Sequence, residues 1–165
     1  FSCKAAWQGV RHILPKVAWV DIVWFLDCIP KHSFFLWLTL HNAHRTTNKL
    51  RKYGVVVDNQ CLFGCGGLES IDHLFRGCKF IAGVWNNNLC KCGFIRVYRP
   101  WLEEVVWVTD RLRGRDIKGW TSRVALAAAI YFCWTERNNR VFRNEYQDIV
   151  TPQFSVPYHK DKHIW

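Results

Sequence analysis

Apolar residues recur along the chain at the three-and-four spacing of helices, with little strict alternation of the strand kind. FSCKAAWQGVRHIL places Cys3, Ala6, Trp7 and Val10 on one face behind Ser2 as N-cap, and Pro15 ends it. WVDIVWFLDC predicts a second, short helix that stops before Pro30. Proline suits the first helical turn, so a third helix is expected from Pro30, over roughly Lys31 to Asn42. Phe34, Phe35, Trp37, Leu38 and Leu40 cover most of its circumference, which predicts a central core helix. Thr46 or Thr47 is expected to cap NKLRKYG, with Gly54 as its stop. Val55 to Gly67 breaks the period, and Glu69 to Arg76 resumes it briefly. Phe80, Ile81, Val84, Trp85 and Leu89 continue it toward Gly93. Trp101, Val105 and Val108 mark another helix, and a long one is expected from about Lys118 to Phe142. From Asn144 the period is lost, and 144–165 reads as a poorly ordered tail. The fold class is mainly α: a small helical domain with a central Cys/His loop and a long C-terminal helix.

That loop is CLFGCGGLESIDHLFRGC, Cys61 to Cys78. Zn²⁺ takes four Cys or His ligands in a tetrahedron, two of them usually from one tight turn. Cys61 and Cys65 have three residues between them; His73 and Cys78 have four. Glycines at 64, 66 and 67 surround the second thiol, where the chain must turn sharply. A helix opening near Glu69 would bring His73 and Cys78 back to that turn. Four protein ligands leave no open coordination position, so a structural Zn²⁺ is expected and a catalytic one is not. Cys90 and Cys92 are reserve ligands, separated by a full helix and by only one intervening residue. Cys3, Cys28 and Cys133 stand among apolar residues and read as small buried hydrophobes. His41 and His44 read as a solvent-facing helix end, with weak metal binding as the alternative.

Charge adds a second feature. The chain carries a net +10, a balance that favours anionic partners. From Cys28 to Val57 there is no acid, while Lys31, Arg45, Lys49, Arg51 and Lys52 lie there. A second acid-free span, His73 to Leu102, carries Arg76, Lys79, Lys91, Arg96 and Arg99. Both spans adjoin the Cys/His loop. Lys31, Arg45, Lys49, Arg51, Lys52, Arg76 and Lys79 are therefore candidate nucleic-acid contacts, and a merely solvated basic face is the alternative. Ten Trp and eleven Phe are first of all core material.

Other classes find little support. The longest apolar run, Val124 to Trp134, is too short for a bilayer, which needs about 20 residues. No signal peptide is visible, so an intracellular protein, nuclear or cytoplasmic and not secreted, is expected. The chain has no Met and reads as a region of a longer protein. There is no polymerase aspartate pair, no Gly-rich phosphate loop and no G-x-S-x-G; adjacent Glu103 and Glu104 fall on different helix faces. The chain is expected not to be an enzyme.

These motifs resemble the zinc-binding region downstream of the reverse transcriptase in plant LINE-type (non-LTR) retrotransposons. FSCKAAW is similar to that family's FSVKSAW-like opening. DIVWFLDCIPKHSFFLWLTLHNAHRTTNKLRKYGV resembles its W…P-K…F-x-W…T…L stretch. CLFGCGGLESIDHLFRGCKFIAGVW carries its E-S…H-L-F…C…W run, and IYFCWTERNNRVF resembles its I-W-x-E-R-N-x-x-F ending. The resemblance implies Cys61, Cys65, His73 and Cys78 as metal ligands, a role in gripping RNA or target DNA, and the polymerase domain of the parent polyprotein as a neighbour. The chain is expected to divide into a zinc-binding domain at 1–95 and a helical extension at 96–143 packed on it. Two departures stand out: the family usually has two residues between its first two cysteines, and His44 replaces a more usual Leu or Arg. A protein-docking module, or a decayed copy without present function, is the alternative.

Overall fold

The structure, a computed structural model, describes residues 2–10, 15–55, 58–96, 99–114, 116–143 and 145. The 144–165 tail, apart from residue 145, lies outside the described residues. The elements are helices α1 (Cys3–Val10), α2 (Val20–Val23), α3 (Pro30–Leu40), α4 (Thr47–Lys52), a π-helical turn (His73–Gly77), α5 (Lys79–Lys91), α6 (Trp101–Arg111) and α7 (Ile117–Phe142). Pairing outside the helices, among the described residues, comes down to one antiparallel bridge, Gln60 with Leu68.

The core forms where α7 lies against α3 and α5. The inward face of α3 is not its aromatic one. Ser33, Leu36 and Thr39 are its buried residues, and their modest size lets α3 lie close against α7, whose own Ala127, Ala128 and Ala129 are buried too. Phe34 is 47% exposed, contrary to the expectation of an apolar surface buried all round. At 3.6 residues per turn it points away from the Ser33–Leu36–Thr39 stripe. Phe35 reaches inward to meet Tyr131 edge-on, with ring centroids 5.2 Å apart.

Just past α3, His44 is buried, not solvent-facing. Its Nε2 lies 2.8 Å from Thr39 Oγ1 and its ring sits 4.2 Å from that of Trp134. Burial pulls its pKa down to about 4, so the ring is neutral at pH 7. His41 stays exposed, so the two histidines do not act as a pair.

Helix α6 buries Trp101, Glu104 and Val108. Glu104 accepts from Trp85 Nε1 at 2.8 Å and pairs with Arg96 and Arg76 at 3.2 and 3.5 Å. Asp72 Oδ1 accepts from the Trp101 N–H, satisfying a first-turn donor that Pro100 cannot cap. Of the stand-alone cysteines, Cys133 is buried as expected, and burial pushes its thiol up to about 12. Cys3 is exposed and Cys28 half-buried, because α1 and the α2–α3 turn lie at the periphery. None of the described helices is long and apolar enough to cross a membrane.

Candidate metal centre

The Cys61–Gly67 turn is closed at its base by backbone bonds. Cys61 N–H donates to Gly67 O (2.7 Å), and Glu69 N–H donates to Asn59 O (2.8 Å). Inside it, Gly64 N–H returns to Cys61 O at 3.0 Å. Gly64 and Gly66 hold φ of +70° and +79°, the left-handed region that disfavours any side chain. The residue that lengthens the first cysteine spacing is thus absorbed as a left-handed glycine, and Cys65 still faces Cys61.

The second pair of ligands comes from a different device. In an α-helix, residues five apart point about 140° away from each other. His73 and Cys78 are five apart, and the chain between them widens into a π-turn in which Cys78 N–H donates to His73 O. The wider turn brings both side chains to one side, a recurrent use of π-bulges at functional sites. Ser70 starts the turn, accepting from His73 N–H through its Oγ at 3.1 Å.

The ligand atoms of Cys61, Cys65, His73 and Cys78 all lie within 4.8 Å of one another. A tetrahedral Zn²⁺ with Zn–S of about 2.3 Å has S···S edges of about 3.8 Å; Cys61 Sγ and Cys78 Sγ are 3.8 Å apart. Cys65 Sγ and His73 Nε2 are 3.1 Å apart, a few tenths of an ångström inside the thiolate–imidazole edge of about 3.5 Å. Three cysteines and one histidine are a ligand set Zn²⁺ favours, and the set is closed. Bound there, the metal would pin the Gly-rich turn to the start of α5. Cys90 is exposed, Cys92 half-buried, and neither joins the cluster.

Electrostatics favour a thiolate at Cys78 and a retained proton at Cys61. The Cys61 thiol donates to Cys78, which first of all holds Cys78 well below the usual thiol range; burial opposes this, and the N–H groups of Ile81 and Phe80 in the first turn of α5 reinforce it. Cys61 is pushed up by keeping the shared proton, and further by burial, while the Phe63 N–H pulls the other way. Three thiolates on one Zn²⁺ leave a net charge of −1, and these backbone N–H groups meet it.

Gly67 is fixed by space. A Cβ there would stand 2.7 Å from His73 Nδ1 and 3.0 Å from Nε2. Gly67→Ala is expected to push the imidazole off the site and weaken zinc binding by about 10- to 100-fold, the range seen when ligand support is lost. Competition against a chromophoric chelator measures this; unchanged affinity would show that the ring does not lie over Gly67.

The cluster is tied to α7. Glu69, fully buried, takes Arg137 Nη2 at 2.8 Å and Nε at 3.2 Å. The same carboxylate accepts from Thr47 N–H at 2.8 Å, so α4 is capped by Glu69 and not by a threonine side chain. Arg140 reaches Leu62 O and lies over the Phe63 ring. The loop-to-helix brace was missed by the sequence reading, although a signal existed: Arg137 continues the Ile130, Cys133, Trp134 stripe, an odd place for a cation.

The basic candidates divide. Lys31, Arg45, Arg51, Lys52 and Lys79 are exposed. Lys49 is half-buried and donates to Asn42 O. Arg76 corrects the sequence reading: it is 1% exposed, its Nε donates to Arg99 O, and Glu104 neutralises it. It cannot reach a phosphate.

Fold and site together define a helical module organised around a closed Cys₃His metal centre. A family model described as zinc-binding in reverse transcriptase matches residues 1–85, a stretch that contains all four ligands. The chain belongs to this family and is a zinc-binding module of a reverse transcriptase. The match ends within α5, so α6 and α7 lie beyond it. Comparison with curated proteins and with solved structures found no match.

Proposed function

We propose that this module is a noncatalytic, zinc-stabilised grip on RNA or target DNA, working beside the polymerase of a LINE-type retrotransposon inside the cell. The observation that carries the reading is the exposure of Lys31, Arg45, Arg51, Lys52 and Lys79 on a chain of net charge +10. Zinc gives the loop its shape and takes no part in chemistry. Lysine and arginine supply phosphate contacts, which give affinity with little base specificity.

Salt titration tests this. Five phosphate contacts to a single strand give a log–log slope of about −3.5. Affinity is then expected to fall about 100-fold between 50 and 200 mM salt. Binding that ignores salt, or no binding by the zinc-loaded protein, would reject the reading. A docking role draws support from Leu102 and Val106, 77% and 70% exposed one turn apart on α6. Salt-insensitive association with the polymerase domain would favour it.

A further inference from the structure

Helix α3 carries an aromatic ladder on the side away from the core. Phe34 stacks on Trp37, with centroids 5.8 Å apart and planes 20° apart. Trp37 meets His41 at 4.6 Å, and His41 meets Trp19 edge-on at 5.3 Å. The inner rungs, Trp19 and Trp37, pack against the core; Phe34 and His41 look outward. A scattered exposed aromatic needs no explanation, but a contiguous row anchored from below is a surface.

Its ends are basic. Lys31 is exposed one turn before Phe34, and Arg45 is exposed just past the C-terminal end of the helix. No acid lies between Cys28 and Val57. Of the acids just before that span, Asp21 is held by Lys16 and Arg113. From Lys31 to His41 the helix runs about 15 Å, which matches about four nucleotides at the per-strand rise of 3.4 Å.

We infer that the outer face of α3 is a stacking platform for single-stranded nucleic acid: bases lie on Phe34 and the rungs beside it, and Lys31 and Arg45 hold the flanking phosphates. The inference rests on the nucleic-acid reading above and adds what kind of strand is taken and where. Duplex bases are already stacked on each other and present no free face to a side chain, so the platform selects unpaired strands. Stacking on aromatic rings tolerates any base, and a basic track follows the backbone.

The test uses the zinc-loaded full chain and three labelled probes of about 15 units: oligothymidylate, an abasic backbone of the same length, and a duplex. Oligothymidylate is expected to bind about 5- to 50-fold tighter than the abasic backbone. Phe34→Ala is expected to remove that advantage while the salt slope stays unchanged, since no phosphate contact is lost. Zinc stoichiometry and thermal melting check that the variant is folded. Should it fail to fold, His41→Ala and the abasic comparison on the unaltered protein still decide.

Equal affinity for oligothymidylate and the abasic backbone, or a preference for duplex, overturns the platform while leaving nucleic-acid binding intact. So does a Phe34→Ala protein that keeps its oligothymidylate affinity but loses the polymerase domain. If none of the probes binds at low salt, the broader nucleic-acid reading falls as well.

Discussion

Cys78→Ser is expected to cost the protein its zinc and, with it, its cooperative fold. Cys78 is fully buried, and its sulfur gathers the Cys61 thiol and the N–H groups at the start of α5. A serine oxygen there is a poor zinc ligand and leaves those donors aimed at a smaller acceptor. Structural zinc contributes on the order of 10 kcal/mol in small metal-dependent modules. Whole-domain stability is about 5–15 kcal/mol, so losing the metal removes most of what holds this fold. Metal analysis should give one zinc for the unaltered protein and close to none for the variant, with the urea transition broadened or gone. Chelator added to the unaltered protein should reproduce the effect. Cys90→Ser is the control, because Cys90 is exposed and outside the cluster. Full zinc occupancy and an unchanged transition in Cys78→Ser would remove Cys78 from the ligand set.

The second large effect concerns Glu69 and Arg137. Both are buried, and replacing either alone leaves the other as an uncompensated interior charge. Glu69→Gln keeps an oxygen for the Thr47 N–H but no longer neutralises Arg137; Arg137→Met strands the carboxylate. Each single change is expected to cost about 3–5 kcal/mol. The double variant should recover much of this, because a buried ion pair exchanged for uncharged groups is often nearly neutral. Urea unfolding of all four proteins in saturating zinc closes the cycle. Strictly additive losses would mean that the two groups do not couple. Retained zinc stoichiometry in the single variants would separate this brace from the metal centre itself.

The parts of the site that were legible in the sequence are those governed by local spacing. Cys61, Cys65, His73 and Cys78 converge as their intervals suggested, and α7 starts and stops within a residue of its expected bounds. What could not be read is what depends on distant partners. Arg76 sits in an acid-free span, and a charge count over that span makes it look solvent-facing; its counter-charge, Glu104, arrives 28 residues later. His44 looked like a polar helix end because nothing nearby announces that Trp134 will cover it. The core face of α3 was misjudged because size, not hydrophobicity, decides which residues can face a closely packed helix. Ser33 and Thr39 fit there, and Phe34 does not.

The Glu69–Arg137 pair also orders events in time. All four zinc ligands have been synthesised by residue 78, within an 18-residue loop that closes at little entropic cost. The guanidinium that neutralises Glu69 emerges 68 residues after Glu69 itself. On a growing chain the metal loop can therefore form while its carboxylate is still hydrated, and burial must wait for α7. The knuckle closes over a short stretch of chain and the ion pair over a long one, and contacts distant in sequence are the slower kind to form.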